Sequence, residues 1–209
     1  VSGLRTLVAG LLVAMTLTAP AMAQSSPTAT LRSTASFATI GDAARRSQAL
    51  FEEAGKVIQH PRCVNCHPAS SRPLQGMDMR PHEPPVARGP SDIGMPGMMC
   101  GTCHGAANVA VIGQAETVKS IPGHPLWHVA PIEMAWEGKT LGQICEQIKD
   151  PARNGNRAMA AIIDHVTNDH LVGWAWSPGA DRTPAPGTQA EFGALMRAWA
   201  DAGGSCPPS

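Results

Sequence analysis

Four stretches of the chain place apolar residues at the three- and four-residue spacing of one helix face. They run over about residues 42–59, 140–149, 157–168 and from 188 to 202. The predicted apolar faces are Leu50, Ala54, Val57 and Ile58; Leu141, Ile144, Cys145 and Ile148; Met159, Ile162, Ile163 and Val166; and Phe192, Leu195, Met196 and Trp199. The pattern therefore predicts four helices that pack together through these faces.

Local signals predict where two of these helices begin or end. Pro151 ends the second stretch, because proline has no backbone N–H to donate. Thr188 stands three residues before Glu191, the spacing of a capping box, and Gly203 ends the last helix. No segment alternates apolar and polar residues as a half-buried strand would. The pattern predicts an all-α fold.

The remaining segments predict long loops. Residues 24–39 are rich in serine, threonine and alanine, and we expect a disordered leader there. Residues 68–97 are dense in proline and glycine and show little periodicity, which predicts a wrapping loop. The chain as a whole contains 21 glycines and 19 prolines in 209 residues, so the fold should be loop-rich.

Residues 1–23 have the pattern of a secretory signal peptide. Arg5 supplies a positive charge, Leu7–Leu17 is a short apolar run, and Ala21–Ala23 is a small-x-small cleavage signature before Gln24. An uncleaved anchor is the alternative, although the run is short for a membrane span. We expect an exported, periplasmic protein with no membrane span in its mature form.

Composition limits the partners and the core. The 16 basic and 16 acidic side chains balance, so nothing points to nucleic acid as a partner. There are no tyrosines, three phenylalanines and five tryptophans. A chain with so few aromatics buries little large apolar surface of its own.

A pentapeptide with strong chemical meaning occurs twice. Cys63-Val64-Asn65-Cys66-His67 is matched by Cys100-Gly101-Thr102-Cys103-His104. Two cysteines at this spacing can bond covalently to one haem, and the histidine that follows can bind its iron. The sequence therefore predicts two haem c groups, held by Cys63, Cys66, Cys100 and Cys103, with His67 and His104 as proximal iron ligands.

The short gap between the motifs predicts one shared domain. Only 32 residues separate His67 from Cys100, too few for a complete cytochrome domain around the first haem. We expect a single compact, cytochrome c-like dihaem domain over residues 40–209, with a short helix from the second motif through Val111. Because the chain is poor in aromatics, we also expect the haems to form its core and the haem-free chain to be poorly folded. Four tryptophans should line the porphyrins, namely Trp127, Trp136, Trp174 and Trp176.

The sequence does not determine which residue is the sixth ligand of each iron. His82 lies in a proline-stiffened loop, and His165 can share the buried face of its helix. Both are candidate distal ligands. Met134 is the alternative distal ligand for the second haem, and Met79 is the nearest rival of His82. An axial methionine would raise the reduction potential relative to histidine. The other histidines that could serve are His60, His124, His128 and His170.

Two cysteines remain after the haem motifs. Cys145 lies in a predicted helix and Cys206 follows the last one. In an oxidising compartment two leftover cysteines usually pair, so we expect a disulfide between them. Two free buried thiols are the alternative.

The two motifs identify the chain as a member of the dihaem c-type cytochromes. The stretches Glu133–Arg157 and His170–Gly179 also resemble bacterial proteins labelled as a subunit of isoquinoline 1-oxidoreductase. The resemblance covers nearly the whole mature chain. It implies a cytochrome that accepts electrons from a molybdenum hydroxylase, with other redox proteins as partners.

Three function classes compete on this evidence. An electron-transfer protein needs two six-coordinate haems and no substrate chemistry of its own. A dihaem peroxidase-like enzyme needs one five-coordinate haem with acid–base groups beside it. A zinc-binding structural module could use the two Cys-x-x-Cys pairs as ligands. The histidine directly after each pair and the export signal favour electron transfer.

Overall fold

A computed structural model describes residues 30–105, 124, 126–178 and 182–209. Two sequence predictions fall outside these residues. They are the signal peptide over residues 1–23 and the helix that follows the second motif. The first six residues of the expected leader, 24–29, also lie outside.

The described chain is mostly helical, as predicted. Helices α1 (Ala43–Ile58), α3 (Leu141–Lys149), α4 (Met159–Asn168) and α6 (Gln189–Asp201) match the four periodic stretches. Two single-turn helices, α2 (Pro61–Val64) and α5 (His170–Gly173), complete the set. In the part of the chain that the structure describes, no helix is both long and apolar enough to cross a membrane.

The helices enclose an apolar core of their own. Helix α1 packs against α3 and α6, and α4 packs against α6 and α5. The Phe51 ring lies 4.8 Å from that of Trp199, centroid to centroid, and both side chains are fully buried. Each large apolar side chain buried in this way contributes about 1.5–3 kcal/mol. The core is therefore a substantial source of stability.

The composition predicts that the haems form the core, and the helices bury a cluster of apolar side chains of their own. The few aromatic residues are concentrated there, and all three phenylalanines, Phe37, Phe51 and Phe192, are buried. Of the four motif cysteines that the structure describes, Cys63 alone packs against the cluster. The overall count of aromatics was therefore misleading, because it did not show how they are distributed.

The prediction of a disordered leader was wrong for residues 30–39. Residues Thr34–Phe37 form a turn of 3-10 helix. Phe37 is 1% exposed and Leu31 is 9% exposed, both within the main core. Two well-placed apolar side chains fix this segment although its neighbours are small and polar.

The loop between the motifs contains two small hairpins that the sequence did not predict. Strand β1 (Leu74–Gln75) pairs antiparallel with β2 (Arg80–Pro81), and β3 (Gly94–Met95) pairs with β4 (Met98–Met99). The second hairpin turns at Pro96-Gly97, where Gly97 has a φ of +84° that favours glycine. Strands of two residues are too short to show alternation.

The expected disulfide is confirmed. Cys145 of α3 is bonded to Cys206, with 5.6 Å between their Cα atoms. The bond joins α3 to the segment after α6 across 61 residues of chain. It therefore fixes the C-terminus to the helical core.

Candidate functional site

The first motif follows directly from the end of α1. His60 caps the short helix α2, its Nδ1 accepting a hydrogen bond from the backbone N–H of Arg62 at 3.2 Å. The helical turn continues past α2, since the N–H of Cys66 donates to the carbonyl of Cys63 and that of His67 to Val64. Residues three and four apart lie on the same side of a helical turn. Cys63, Cys66 and His67 therefore face one side.

The ring of His67 is held in one protonation form. Its Nδ1 lies 2.7 Å from the carbonyl oxygen of Met134. A carbonyl can only accept, so Nδ1 must carry the proton and Nε2 keeps its lone pair. The same ring is stacked on Trp136, with 3.6 Å between centroids and 6° between planes. Burial lowers the pKa of His67 to about 4, which keeps the ring neutral.

The second motif has a similar arrangement in a tighter turn. Residues Cys100–Thr102 form a 3-10 turn, and the N–H of His104 donates to the carbonyl of Cys100 at 2.9 Å. The His104 ring is stacked on Trp127, 4.7 Å between centroids. Burial, with the neighbouring His82 and Arg182, lowers the pKa of His104 to about 4. Both motif histidines are therefore neutral rings backed by a tryptophan.

One ring nitrogen of His104 lacks a hydrogen bond. Its Nδ1 is buried and has no hydrogen-bond partner among the described residues. A buried polar atom without a partner costs about 1–3 kcal/mol. Among the described residues, the His104 ring therefore lacks the Nδ1 partner that fixes the tautomer of His67.

The two motifs lie close to each other. Burial raises the pKa of Cys66 to about 11, and the nearby Cys100 of the other motif contributes to this shift. Burial and Cys66 raise the pKa of Cys63 to about 12. None of the four motif cysteines takes part in the disulfide. The first motif therefore lies near the start of the second in the fold.

One extended segment connects the surroundings of the two motifs. The N–H of Ala130 donates to the carbonyl of Cys66 at 2.9 Å, and the N–H of Val129 donates to the carbonyl of Asp92 at 3.0 Å. Arg88, which is 8% exposed, lies at this junction. Its guanidinium donates to Asp92 at 2.6 Å and also to the carbonyl of Ala130. Arg88 therefore fixes the loop between the motifs.

Positive charge lies beside both motifs. Arg62 is 5% exposed, donates from Nε to the carbonyl of Thr183 at 2.8 Å, and lies 5.3 Å above the ring of Trp174. Burial and the nearby Arg182 lower the pKa of Arg62, while Cys66 acts in the opposite direction. Haem carries carboxylate groups, and these two guanidinium groups have the charge that would suit them.

His165 lies on the same side of the site as the first motif. Its Nδ1 is 3.0 Å from the Asp169 carboxylate. The pKa of His67 is lowered first by burial and further by the proximity of His165 and His128. His165 and His128 therefore lie near His67, and His82 lies beside His104.

Met134 contributes its backbone to the site. The carbonyl of Met134 accepts from His67, and its side chain packs against the helical core. The sequence indicated the thioether as a candidate ligand and gave no sign of the carbonyl. The sequence also missed Asp169, which bonds His165; His128, one of the other candidate histidines, lies near His67.

Of the four tryptophans predicted to line the porphyrins, Trp127 and Trp136 stack on the motif histidines. Trp174 is edge-on to Trp127, with centroids 5.8 Å apart. Trp176 lies instead against Phe192, with its Nε1 donating to the carbonyl of Pro186. Three of the four therefore line the site, and the fourth lies at the margin of the helical core.

The residues present fit covalent haem. Each motif offers two thiols and a neutral imidazole within one turn, and His67 presents Nε2 with a free lone pair. Zinc coordination would require the thiols to converge. Among the described residues, no group of three or more His, Cys, Asp or Glu side chains could hold a metal ion.

Comparisons with known proteins place this chain in no group. No family model, no curated protein and no solved structure matches it.

Proposed function

We propose that this chain is a periplasmic dihaem c-type cytochrome that transfers electrons between a redox enzyme and the respiratory chain. The observation that carries the proposal is the repeated Cys-x-x-Cys-His motif, with both copies close together in the fold. The tautomer of His67 supports it, because a metal-binding histidine usually donates its other N–H to a carbonyl or carboxylate.

The protein residues hold the cofactor. Each thiol of Cys63, Cys66, Cys100 and Cys103 would add across a haem vinyl group: sulfur bonds to one carbon and the thiol hydrogen ends on the other, so no oxidant is consumed. His67 and His104 would bind the two irons. When bound, each haem supplies an iron that gains and loses one electron. The stacked tryptophans restrict the rotation of both imidazoles.

Proximity of the motifs supports electron transfer over substrate chemistry. Cys100 is close enough to Cys66 to contribute to the raised pKa of that thiol. Two haems attached there would be neighbours, and an electron could pass between them within one chain. By the resemblance of Glu133–Arg157 and His170–Gly179, we propose a molybdenum hydroxylase as the electron donor.

The test is covalent haem content. The chain should be produced in a host that matures c-type cytochromes, and its mass and pyridine haemochrome spectrum measured after denaturation. We expect two haems per chain. Cys63→Ala with Cys66→Ala should leave one haem, as should Cys100→Ala with Cys103→Ala.

A matched control removes the other pair of cysteines. Cys145→Ala with Cys206→Ala breaks the disulfide but should keep both haems. A wild-type chain without covalent haem would refute the proposal. Rapid turnover of hydrogen peroxide by the dihaem protein would favour the dihaem peroxidase alternative instead.

A further inference from the structure

The rings of His82 and His104 are neighbours, at a centroid distance that two ligands of one metal can have. Their centroids are 5.9 Å apart, and their planes meet at 68°, so the rings are not stacked. An imidazole nitrogen lies about 2 Å from a bound metal and the ring centroid about 1 Å further back, so two imidazoles on opposite sides of one metal have centroids about 6 Å apart. The observed gap matches this value.

Hydrogen bonds divide six of the eight histidines into two sets by the nitrogen that carries the proton. Where Nδ1 faces a carbonyl or carboxylate it must donate, and Nε2 is left with its lone pair. This set consists of His67, His82, His128 and His165. Where Nδ1 accepts from a backbone N–H, the proton of the neutral ring lies on Nε2. This second set consists of His60 and His124.

His82 is fixed in place through three groups. Its backbone N–H donates to the carbonyl of Pro73 at 2.9 Å, and its carbonyl accepts from Arg72 at 2.8 Å. Its Nδ1 lies 3.0 Å from the carbonyl of Pro84. A ring held in this way has little freedom to lose when it binds a metal, which favours tight binding.

We propose that His82 is the distal ligand of the iron that His104 binds, through Nε2. The inference rests on the proposed function, since it requires haem at the second motif. His82 is thereby assigned to the second haem. His165 and His128, which lie near His67, remain the candidate distal ligands of the first haem. Met79 is the alternative to His82 as distal ligand in this loop, and its side chain is 40% exposed to solvent.

The experiment measures the spin state of each iron in the dihaem protein by electron paramagnetic resonance and optical spectroscopy. His82→Ala should convert one haem of the two from low-spin to high-spin. Carbon monoxide should then bind one reduced haem per chain, and added imidazole should restore the low-spin signal. His82→Met should keep both haems low-spin and raise the reduction potential of one.

The matched control is His170→Ala, which removes an exposed histidine of α5. Both haems should remain low-spin in that variant. If His82→Ala loses haem, His82→Met decides the question, because an unchanged potential would contradict the assignment. Two low-spin haems in His82→Ala, with unchanged potentials, would overturn it too. Absence of covalent haem in the wild-type chain would instead refute the proposed function.

Discussion

Glu53 is a buried carboxylate of α1 that joins an early segment to the helix. It is 6% exposed, and its Oε1 accepts from the backbone N–H of Arg32 at 2.9 Å and from Lys56 Nζ at 2.6 Å. Burial alone would raise the pKa of Glu53, but the hydrogen bonds and charges of Lys56 and Arg32 outweigh it, and the pKa lies below its usual value. The folded state therefore favours the ionised form.

The contribution of ionised Glu53 to the stability of the fold should depend on pH. Since the pKa of Glu53 is lower in the folded chain, its stabilisation is present above the unfolded pKa, about 4.3, and is lost as pH falls below it. Glu53→Gln keeps an oxygen acceptor but removes the charge, and should cost about 1 kcal/mol at neutral pH. The difference in thermal midpoint from wild type should shrink below about pH 4.

The matched control is Glu52→Gln, one residue earlier and exposed to solvent. It should change the midpoint little at any pH. An equal effect of both substitutions would mean that net charge, and not the buried contact, is responsible.

At the residue scale, the sequence predicts what a side chain can do but not what surrounds it. His67 and His104 follow from motif spacing alone. The carbonyl of Met134 that fixes His67 lies 67 residues further along the chain, so no local pattern could reveal it. The same holds for Arg88, whose guanidinium donates to the carbonyl of Ala130, 42 residues further along the chain.

Helix α6 shows how local signals can determine an element. The Thr188 hydroxyl accepts from the N–H of Glu191 at 3.2 Å, and the Glu191 carboxylate accepts from the N–H of Thr188 at 2.8 Å. This is a complete capping box at the start of the helix. The first turn then delivers Phe192 and Leu195 to the core, where both are buried.

Loss of the cap should weaken the whole fold. Thr188→Ala removes the side-chain acceptor for the N–H of Glu191 and should cost about 1 kcal/mol of unfolding free energy. Chemical denaturation would measure it. Thr188→Ser keeps the hydroxyl and should stay near wild type. Equal losses in both variants would contradict a role for the hydroxyl.

The long helices were predictable from the repeat of their apolar residues, and the two-residue strands were not. Helices α1, α3, α4 and α6 have boundaries within two residues of those expected from their apolar spacing. The hairpins β1–β2 and β3–β4 have strands of two residues, which cannot repeat a pattern. Residues 30–39 were predicted to be disordered because most of them are small or polar. Composition did not show that two apolar residues of this segment are buried in the core.

At the scale of the molecule, the helical core and the haem motifs are distinct but connected regions. The core is formed by α1, α3, α4 and α6 and by residues before α1. The motifs follow α1 and lie in the loops beyond it. Arg62 connects the regions through the carbonyl of Thr183, and Trp136 contributes to both, as a core residue that stacks on His67.

This division predicts that the helical core folds without haem. Replacing the four motif cysteines (Cys63, Cys66, Cys100 and Cys103) by serine prevents covalent attachment. The variant should retain helical circular dichroism and a cooperative thermal transition, because the core side chains of the four helices are buried against one another. Its midpoint should lie below that of the dihaem protein, since a bound cofactor stabilises the folded state.

A second substitution tests whether the thermal transition of the haem-free variant comes from the helical core. Phe51→Ala in the haem-free variant removes a fully buried ring that contacts Trp199 and should cost about 3–5 kcal/mol, enough to abolish most of a marginal transition. Gln59→Ala, at the exposed end of α1, should leave it nearly unchanged. A haem-free variant that unfolds without cooperativity, even with Phe51 intact, would instead support the expectation from composition that the haems are indispensable to the core.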